Sequence, residues 1–177
     1  MLKPILCAAS LVFSLSAIAS DVSAVLPKIK EIAANPAIVA AVKEGNNKKL
    51  SLDAIKAIDE KWKSTSGNLP EAQATQSNEA ATVLKTAETN NPSFKESILT
   101  DNQGANVAIT ALTSDYWQGD EPKFTKAFAA GKGEDYVARP KRDDSTGAVI
   151  AQISVPVMDA GAAIGTLTVG VDIGKSQ

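Results

Sequence analysis

The spacing of apolar residues predicts helices in the first part of the chain. Over Val22–Ala33 and again over Pro36–Gly45, apolar residues recur at steps of three or four, which is the period of one helix face. Asn35 stands between the two stretches, where its side chain can cap a second helix that begins at Pro36. The pattern therefore predicts a long, kinked N-terminal helix with one apolar face that needs a partner.

Further helical segments follow. Ser51 is suited to be the N-cap of a helix over Leu52–Lys63, whose apolar residues again share one edge. Pro70 opens a polar, alanine-rich segment, and Ala80–Ala87 has helical spacing within it. A short helix is also predicted over Glu121–Ala130, where aromatic and alanine residues share a face.

After Pro92 the apolar period falls from about 3.6 residues to about 2, which predicts strands. The first two predicted strands flank Asn102–Gly104 and form a hairpin, and a turn over Asp143–Gly147 precedes the last two. The five predicted strands are Ser97–Asp101, Ala105–Ala111, Glu134–Lys141, Ala148–Met158 and Ala163–Ile173.

The two last strands each have an apolar and a mixed face. Val149, Ala151, Ile153, Val155 and Val157 alternate on one side, and Leu167, Val169, Val171 and Ile173 do the same in the final strand. The sequence thus predicts an α+β fold, in which an antiparallel sheet of about five strands packs its apolar face on the long N-terminal helix. The mixed face has two interpretations: plain solvent exposure, or the floor of a pocket.

An aromatic loop over Asp115–Phe124 is the most unusual stretch of the chain. Aromatic residues make up only 5% of the sequence, yet Tyr116, Trp117 and Phe124 cluster here beside carboxylates. One interpretation is that the rings roof a pocket whose floor includes Thr168 and Asp172. The other is that the rings fill a core while the acids cap helices.

Composition limits the classes of function. The chain has 177 residues, a formal net charge of −2 and a pI near 5.2, which predicts one domain and no nucleic-acid partner. It has no histidine and a single cysteine, Cys7. Nucleophile pairs of the Ser–His or Cys–His kind and ordinary zinc sites are therefore excluded.

Two carboxylate pairs remain as candidates for acid–base catalysis or calcium binding: Asp115 with Asp120, and Asp143 with Asp144. Helix capping and turn formation explain both pairs more simply. We expect no enzyme, no cofactor and no metal.

The N-terminus resembles an export signal. Lys3 precedes an apolar run over Ile5–Ala17, and Ala17 and Ala19 are small residues at the positions that a signal peptidase requires. We expect residues 1–19 to be a cleaved signal peptide and residues 20–177 to be one periplasmic domain. The run is too short to span a bilayer, so no stable membrane insertion is expected, with an uncleaved anchor as the alternative.

Three motifs resemble the single-Cache family, also called PDC domains, which are extracytoplasmic sensor modules of the PAS-like fold. The resemblance covers roughly residues 22–174. It rests on Ile98-Leu-Thr-Asp-Asn-Gln-Gly104, on Ser114-Asp-Tyr-Trp-Gln-Gly-Asp-Glu121, and on Val155-Pro-Val157 with Ile164-Gly165 and Gly170-Val-Asp172. It implies a pocket for a small metabolite, such as an amino acid or a carboxylate, on the sheet face opposite the long helix.

The resemblance also implies site residues. Tyr116 and Trp117 would wall the pocket, Asp120 would lie at its edge, and Asp172 would end the final strand beneath it, where an aspartate suits a ligand amine. Arg139 is suited to bind a carboxylate, or else is a solvated cation at a strand edge. Tyr136 is a further candidate, although its parity on a regular strand is opposite to that of Arg139.

Modules of this family usually precede a transmembrane helix, whereas this chain ends at Gln177. We therefore expect a partner, such as a membrane sensor kinase or chemoreceptor, to relay ligand occupancy. A homodimer through the N-terminal helix is a further expectation. The alternative function is a ligand-free periplasmic protein-interaction module.

Overall fold

The computed structural model describes residues 15–142 and 147–174, with side chains from residue 22 onward. Most of the expected signal peptide, Cys7, and the Asp143–Asp144 pair with most of its predicted turn (residues 143–146) lie outside the described residues. Within them, no helix is both long enough and apolar enough to cross a membrane.

Six α-helices occur in the described residues, and the predicted caps form at two of them. Asn35 caps α2 by accepting a hydrogen bond from the amide of Ala37, and Ser51 caps α3 by accepting one from the amide of Ala54. Pro36 is the first residue of α2, so the kinked N-terminal helix is two helices that meet at Asn35. The six helices are α1 (Leu15–Ala33), α2 (Pro36–Asn47), α3 (Leu52–Ser64), α4 (Pro70–Ser77), α5 (Glu79–Asn90) and α6 (Pro122–Phe128).

The strands form one antiparallel sheet, which confirms the predicted α+β class with six strands in place of about five. Its order is β2-β1-β6-β5-β3, and β4 also pairs with β5. The last two strands form a long central hairpin. The strands are β1 (Phe94–Thr100), β2 (Asn106–Ile109), β3 (Tyr136–Val137), β4 (Lys141–Arg142), β5 (Val149–Asp159) and β6 (Ala162–Asp172).

The single strand predicted over Glu134–Lys141 is wrong in one respect. It is split into β3 and β4, because Val137 pairs with Ile153 whereas Lys141 pairs with Ile150. Val137 and Lys141 are four residues apart, whereas their partners Ile153 and Ile150 on β5 are three residues apart. The stretch between β3 and β4 therefore contains one extra residue, and side chains beyond it point to the opposite face from that of a regular strand. Pro140, which has no amide hydrogen, lies in this irregular stretch.

The apolar face of the sheet is buried under helices, as the alternation predicts. Ala151, Ile153, Val155 and Val157 of β5 are fully inaccessible, as is Leu167 of β6. They join one core cluster with residues from three helices and β1, namely Ile29 and Ala33 of α1, Ile38 and Val42 of α2, Leu84 of α5, and Leu99. Burying this much apolar surface is the main stabilising contribution of the fold.

A second core cluster covers the opposite face at the β1–β2 edge. Ile98 pairs with Ile109 and with Thr168, so both isoleucines lie on the face turned away from α1. Ile55 and Trp62 of α3 and Tyr116 pack on them. The polar face of the sheet is therefore already occupied at one edge.

Candidate functional site

A cavity of about 860 Å³ lies on the sheet face opposite α1. Its floor is formed by Ile150 and Gln152 of β5, Glu96 of β1 and Asp172 at the end of β6. Glu121 and Pro122, at the start of α6, form part of the wall. This volume is within the range typical of small-molecule sites, about 300–1,000 Å³.

The same face is closed further along the two long strands. The hydroxyl of Ser154 hydrogen-bonds that of Thr168 at 2.8 Å, and the hydroxyl of Thr100 hydrogen-bonds that of Thr166 at 2.8 Å. All four residues are buried, and α6 packs against β5 and β6. Because these hydroxyls satisfy one another, this half of the polar face needs neither solvent nor ligand.

Charged side chains surround the cavity, and the cations exceed the acids. Five cationic residues line it, against three carboxylates. The ammonium of Lys123 lies 3.1 Å from the carboxylate of Glu121, and that of Lys95 lies 3.8 Å from Asp172. Arg139 is exposed at the rim and forms no ion pair with another described residue. Among the described residues, no carboxylate competes with an anionic ligand for this guanidinium.

Tyr136 and Arg139 line the same cavity, although their spacing on a regular strand would point them to opposite faces. The extra residue between β3 and β4 removes that conflict. The Tyr136 ring is also held by the ammonium of Lys126 on α6, which lies 4.9 Å from the ring centroid.

Glu96 is a cavity residue that the sequence did not reveal. It lies opposite Gly170, and a Cβ atom at that glycine would lie 2.7 Å from Cγ of Glu96. The side-chain amide of Gln152 donates a hydrogen bond to the Glu96 carboxylate at 3.2 Å. The available signal was Gly170, a glycine inside β6 two residues before its end, since glycine within a strand often marks a close approach.

The aromatic loop does not roof this cavity. Tyr116 is 8% exposed and packs on Trp62, with ring centroids 5.6 Å apart. The indole of Trp117 donates a hydrogen bond to the carbonyl of Gln103, and the ammonium of Lys56 lies 5.1 Å from its ring centroid. The space beneath the loop is filled by the second core cluster, which is the arrangement of the alternative interpretation, in which the rings fill a core.

Asp59 of α3 holds the aromatic loop in place. One oxygen of this buried carboxylate accepts hydrogen bonds from the amides of Tyr116 and Trp117, at 2.8 and 3.1 Å. The other oxygen lies 2.6 Å from the ammonium of Lys63, which is also 3.1 Å from Asp115.

These contacts shift the pKa values of two of the groups. The hydrogen bond to Asp59, and to a lesser extent the one to Asp115, raises the pKa of Lys63. The hydroxyl of Ser114 and then Lys63 hold the pKa of Asp115 below its usual value.

The hairpin turn binds the loop from the other side. Asp101 accepts hydrogen bonds from the amides of Gln103 and Ala105, and burial raises its pKa. Gly104 has a φ of 83° and packs so closely on Gly119 that a Cβ atom would lie 2.4 Å from its Cα. Two of the three sequence motifs thus contact each other, and their glycines serve this packing.

The structure brings together three of the seven expected ligand-binding residues: Tyr136, Arg139 and Asp172 all line the cavity. The other four do not line it. Tyr116 and Trp117 belong to the second core cluster, Thr168 is buried against Ser154, and Asp120 is exposed in the loop before α6. Within the described part of the chain, no group of three or more Cys, Asp or Glu side chains is placed to hold a metal ion.

Several solved sensor domains are similar to this chain. It aligns with the sensor domain of the V. cholerae histidine kinase DctB at 16% identity and a TM-score of 0.47, covering 90% of this chain and 54% of that one. The ligand-binding domain of the Pseudomonas fluorescens chemoreceptor CtaA, in complex with L-serine, aligns at 18% identity and a TM-score of 0.46, covering 89% and 53%. The sensory domain of a Campylobacter jejuni chemoreceptor with isoleucine bound aligns at 14% and 0.43, covering 90% and 64%.

The chain therefore spans between about half and two thirds of the length of these solved domains. No protein-family model matches the sequence, and no curated protein matches it.

Substitution of Asp59 tests what holds the aromatic loop. Asp59→Ala leaves two loop amides without their acceptor, so we expect the free energy of unfolding to fall by about 2–4 kcal/mol. Glu60→Ala, at an exposed position of the same helix, is the control and should change it by less than about 0.5 kcal/mol. Urea unfolding measures both, and equal effects of the two substitutions would contradict this role of Asp59.

Ionisation of Tyr116 should lower the free energy of unfolding at alkaline pH. Burial raises its pKa to about 12, whereas an unfolded tyrosine has a pKa of about 10. The neutral ring is favoured in the folded state, so its contribution is complete below pH about 10 and is lost as the pH rises through about 12. The loss should be about 2–3 kcal/mol. The unfolding free energy of the wild type minus that of Tyr116→Phe should therefore fall by that amount between pH about 10 and about 12, and parallel pH curves would refute the assignment.

Proposed function

We propose that this chain is a ligand-binding domain of the sensor type, which binds a small carboxylate-bearing metabolite in the 860 Å³ cavity on the polar face of the sheet. The observation that carries the proposal is Arg139, whose guanidinium lies at the rim of a preformed cavity and forms no ion pair with another described residue. A guanidinium donates two parallel hydrogen bonds to a carboxylate, which gives orientation as well as affinity.

The rest of the lining supports a small organic ligand over a bare ion. Ile150, Ala138 and Pro122 supply apolar surface beside Tyr136. An apolar lining with a few directed polar groups is typical of metabolite sites, in which burial supplies affinity and the polar groups supply specificity. The proposed function is binding without catalysis and without a resident cofactor.

A thermal-shift screen against amino acids, small carboxylates and amines tests binding. A ligand at about 100 times its dissociation constant should stabilise the protein by about 2.7 kcal/mol, which raises the melting temperature by roughly 5–11 °C in a domain of this size. Arg139→Ala should abolish the shift for carboxylates. Arg139→Lys should retain part of it, because an ammonium keeps the charge and loses the planar fork.

Lys132→Ala is the matched control, since this exposed lysine does not line the cavity. Its melting temperature should shift with ligand as much as that of the wild type. A panel in which no compound shifts the wild-type protein would sink the proposal, as would a full shift in Arg139→Ala.

We further infer that the domain acts in the periplasm and that a membrane sensor kinase or chemoreceptor reads its occupancy. Asp172 motivates this inference because it lines the cavity and also borders a small cleft beside Val25 of α1. Its carboxylate accepts a hydrogen bond from the amide of Gly174 at 3.0 Å, at the point where β6 ends. Cleavage before Ser20 and a homodimer through α1 stay predictions.

Hydrogen exchange tests this relay. A ligand that contacts Asp172 should slow exchange at Gly174 and in the facing part of α1, because the carboxylate orders both. The amides of α4, which is remote from the cavity, serve as the internal reference. Unchanged exchange over residues 172–174 at saturating ligand would rule out transmission through this end of the sheet.

A further inference from the structure

Glu96 occupies an unusual position for a carboxylate. It lies on β1, opposite Gly170 of β6, which in turn pairs with Gln152 of β5. Since a Cβ atom at residue 170 would lie 2.7 Å from Cγ of Glu96, the glycine leaves the space through which the Glu96 side chain crosses β6. The Gln152 amide then fixes one carboxylate oxygen at 3.2 Å. The carboxylate is held on the cavity floor by three strands.

The charges around Glu96 distinguish it from the other two acids of the cavity. Asp172 has the ammonium of Lys95 at 3.8 Å, and Glu121 has that of Lys123 at 3.1 Å. Glu96 forms no ion pair with any described residue, and the hydrogen bond from Gln152 that it accepts comes from a neutral amide. An ionised carboxylate accepts about four hydrogen bonds, so a half-buried one with a single neutral donor retains acceptor capacity toward the cavity.

We propose that Glu96 is the specificity-determining residue of the cavity and binds a cationic ammonium group of the ligand. This inference rests on the proposed function, in which Arg139 takes the carboxylate of the same molecule. The ligand class is then a small zwitterion with an apolar body, which lies on Ile150. Asp172, the acid that the sequence favours for a ligand amine, already has the ammonium of Lys95 at 3.8 Å, whereas Glu96 has no cation among the described residues, which favours Glu96 for that role.

Matched probes separate the two ends of the ligand. After the screen of the twenty common amino acids, calorimetry compares the strongest binder with its deaminated and decarboxylated analogues; for L-valine these are isovalerate and isobutylamine. The wild type should bind the amino acid about ten- to a hundredfold more tightly than the deaminated acid, since a charge-assisted hydrogen bond is lost.

Glu96→Gln should weaken binding of the amino acid by about tenfold or more and change binding of the deaminated acid by less than about twofold. Gly170→Ala is a second variant that keeps the carboxylate but displaces it, and it should have the same selective effect. Glu134→Gln, an exposed acid that does not line the cavity, is the control and should leave both affinities unchanged. Melting temperatures without ligand establish that each variant is folded.

The outcomes distinguish the two proposals. Equal binding of the amino acid and its deaminated analogue by the wild type overturns the role of Glu96 and leaves carboxylate binding intact. So does a Glu96→Gln variant that weakens both compounds equally, or neither. A protein that binds no amino acid, carboxylate or amine overturns both proposals.

Discussion

Burial of one face of the β5–β6 hairpin is the constraint on which the rest of this structure depends. The alternating Val, Ile, Ala and Leu residues of these strands are inaccessible only because α1, α2 and α5 cover them. Once that face is committed to the core, strand geometry sends the intervening polar residues to the other side. The location of the cavity, opposite α1, is a consequence of this division.

The polar face is then divided by what covers it. At the β1–β2 edge, α3 and the aromatic loop form a second core; along β5 and β6, α6 covers paired hydroxyls of serine and threonine. Among the described residues, one buried side-chain atom has no hydrogen-bond partner, Oδ1 of Asn106 in β2, and Asn106 does not line the cavity. What remains is the end of the sheet where Gln152, Gly170 and Glu96 meet, and there the charges are only partly neutralised. Polar groups that lack hydrogen-bond or ion-pair partners within the protein can bind a ligand, so this end of the sheet is the supported binding site.

The aromatic loop illustrates how a strong sequence signal acquires a structural role. Its rings and carboxylates are typical of a binding loop, but Asp59, 57 residues away from Tyr116, accepts the loop amides and fixes the rings on Trp62. The turn at Gly104 packs on Gly119 from the other side. The motif residues form a packing arrangement between three segments, so their types alone do not indicate which of them contact a ligand.

The sequence by itself determined five of the six described helices, all but α4, together with the caps of α2 and α3, the hairpin strands and the division of the sheet into two faces. Those features depend on local periodicity and on capping chemistry, which neighbouring residues contain. Only the tertiary structure decided where Tyr116 and Trp117 lie, because their partners on α3 are remote in sequence. It also decided that Tyr136 and Arg139 share a cavity and that Glu96 crosses Gly170. A one-residue insertion between paired strands and a missing Cβ atom become visible only once the strand register is known.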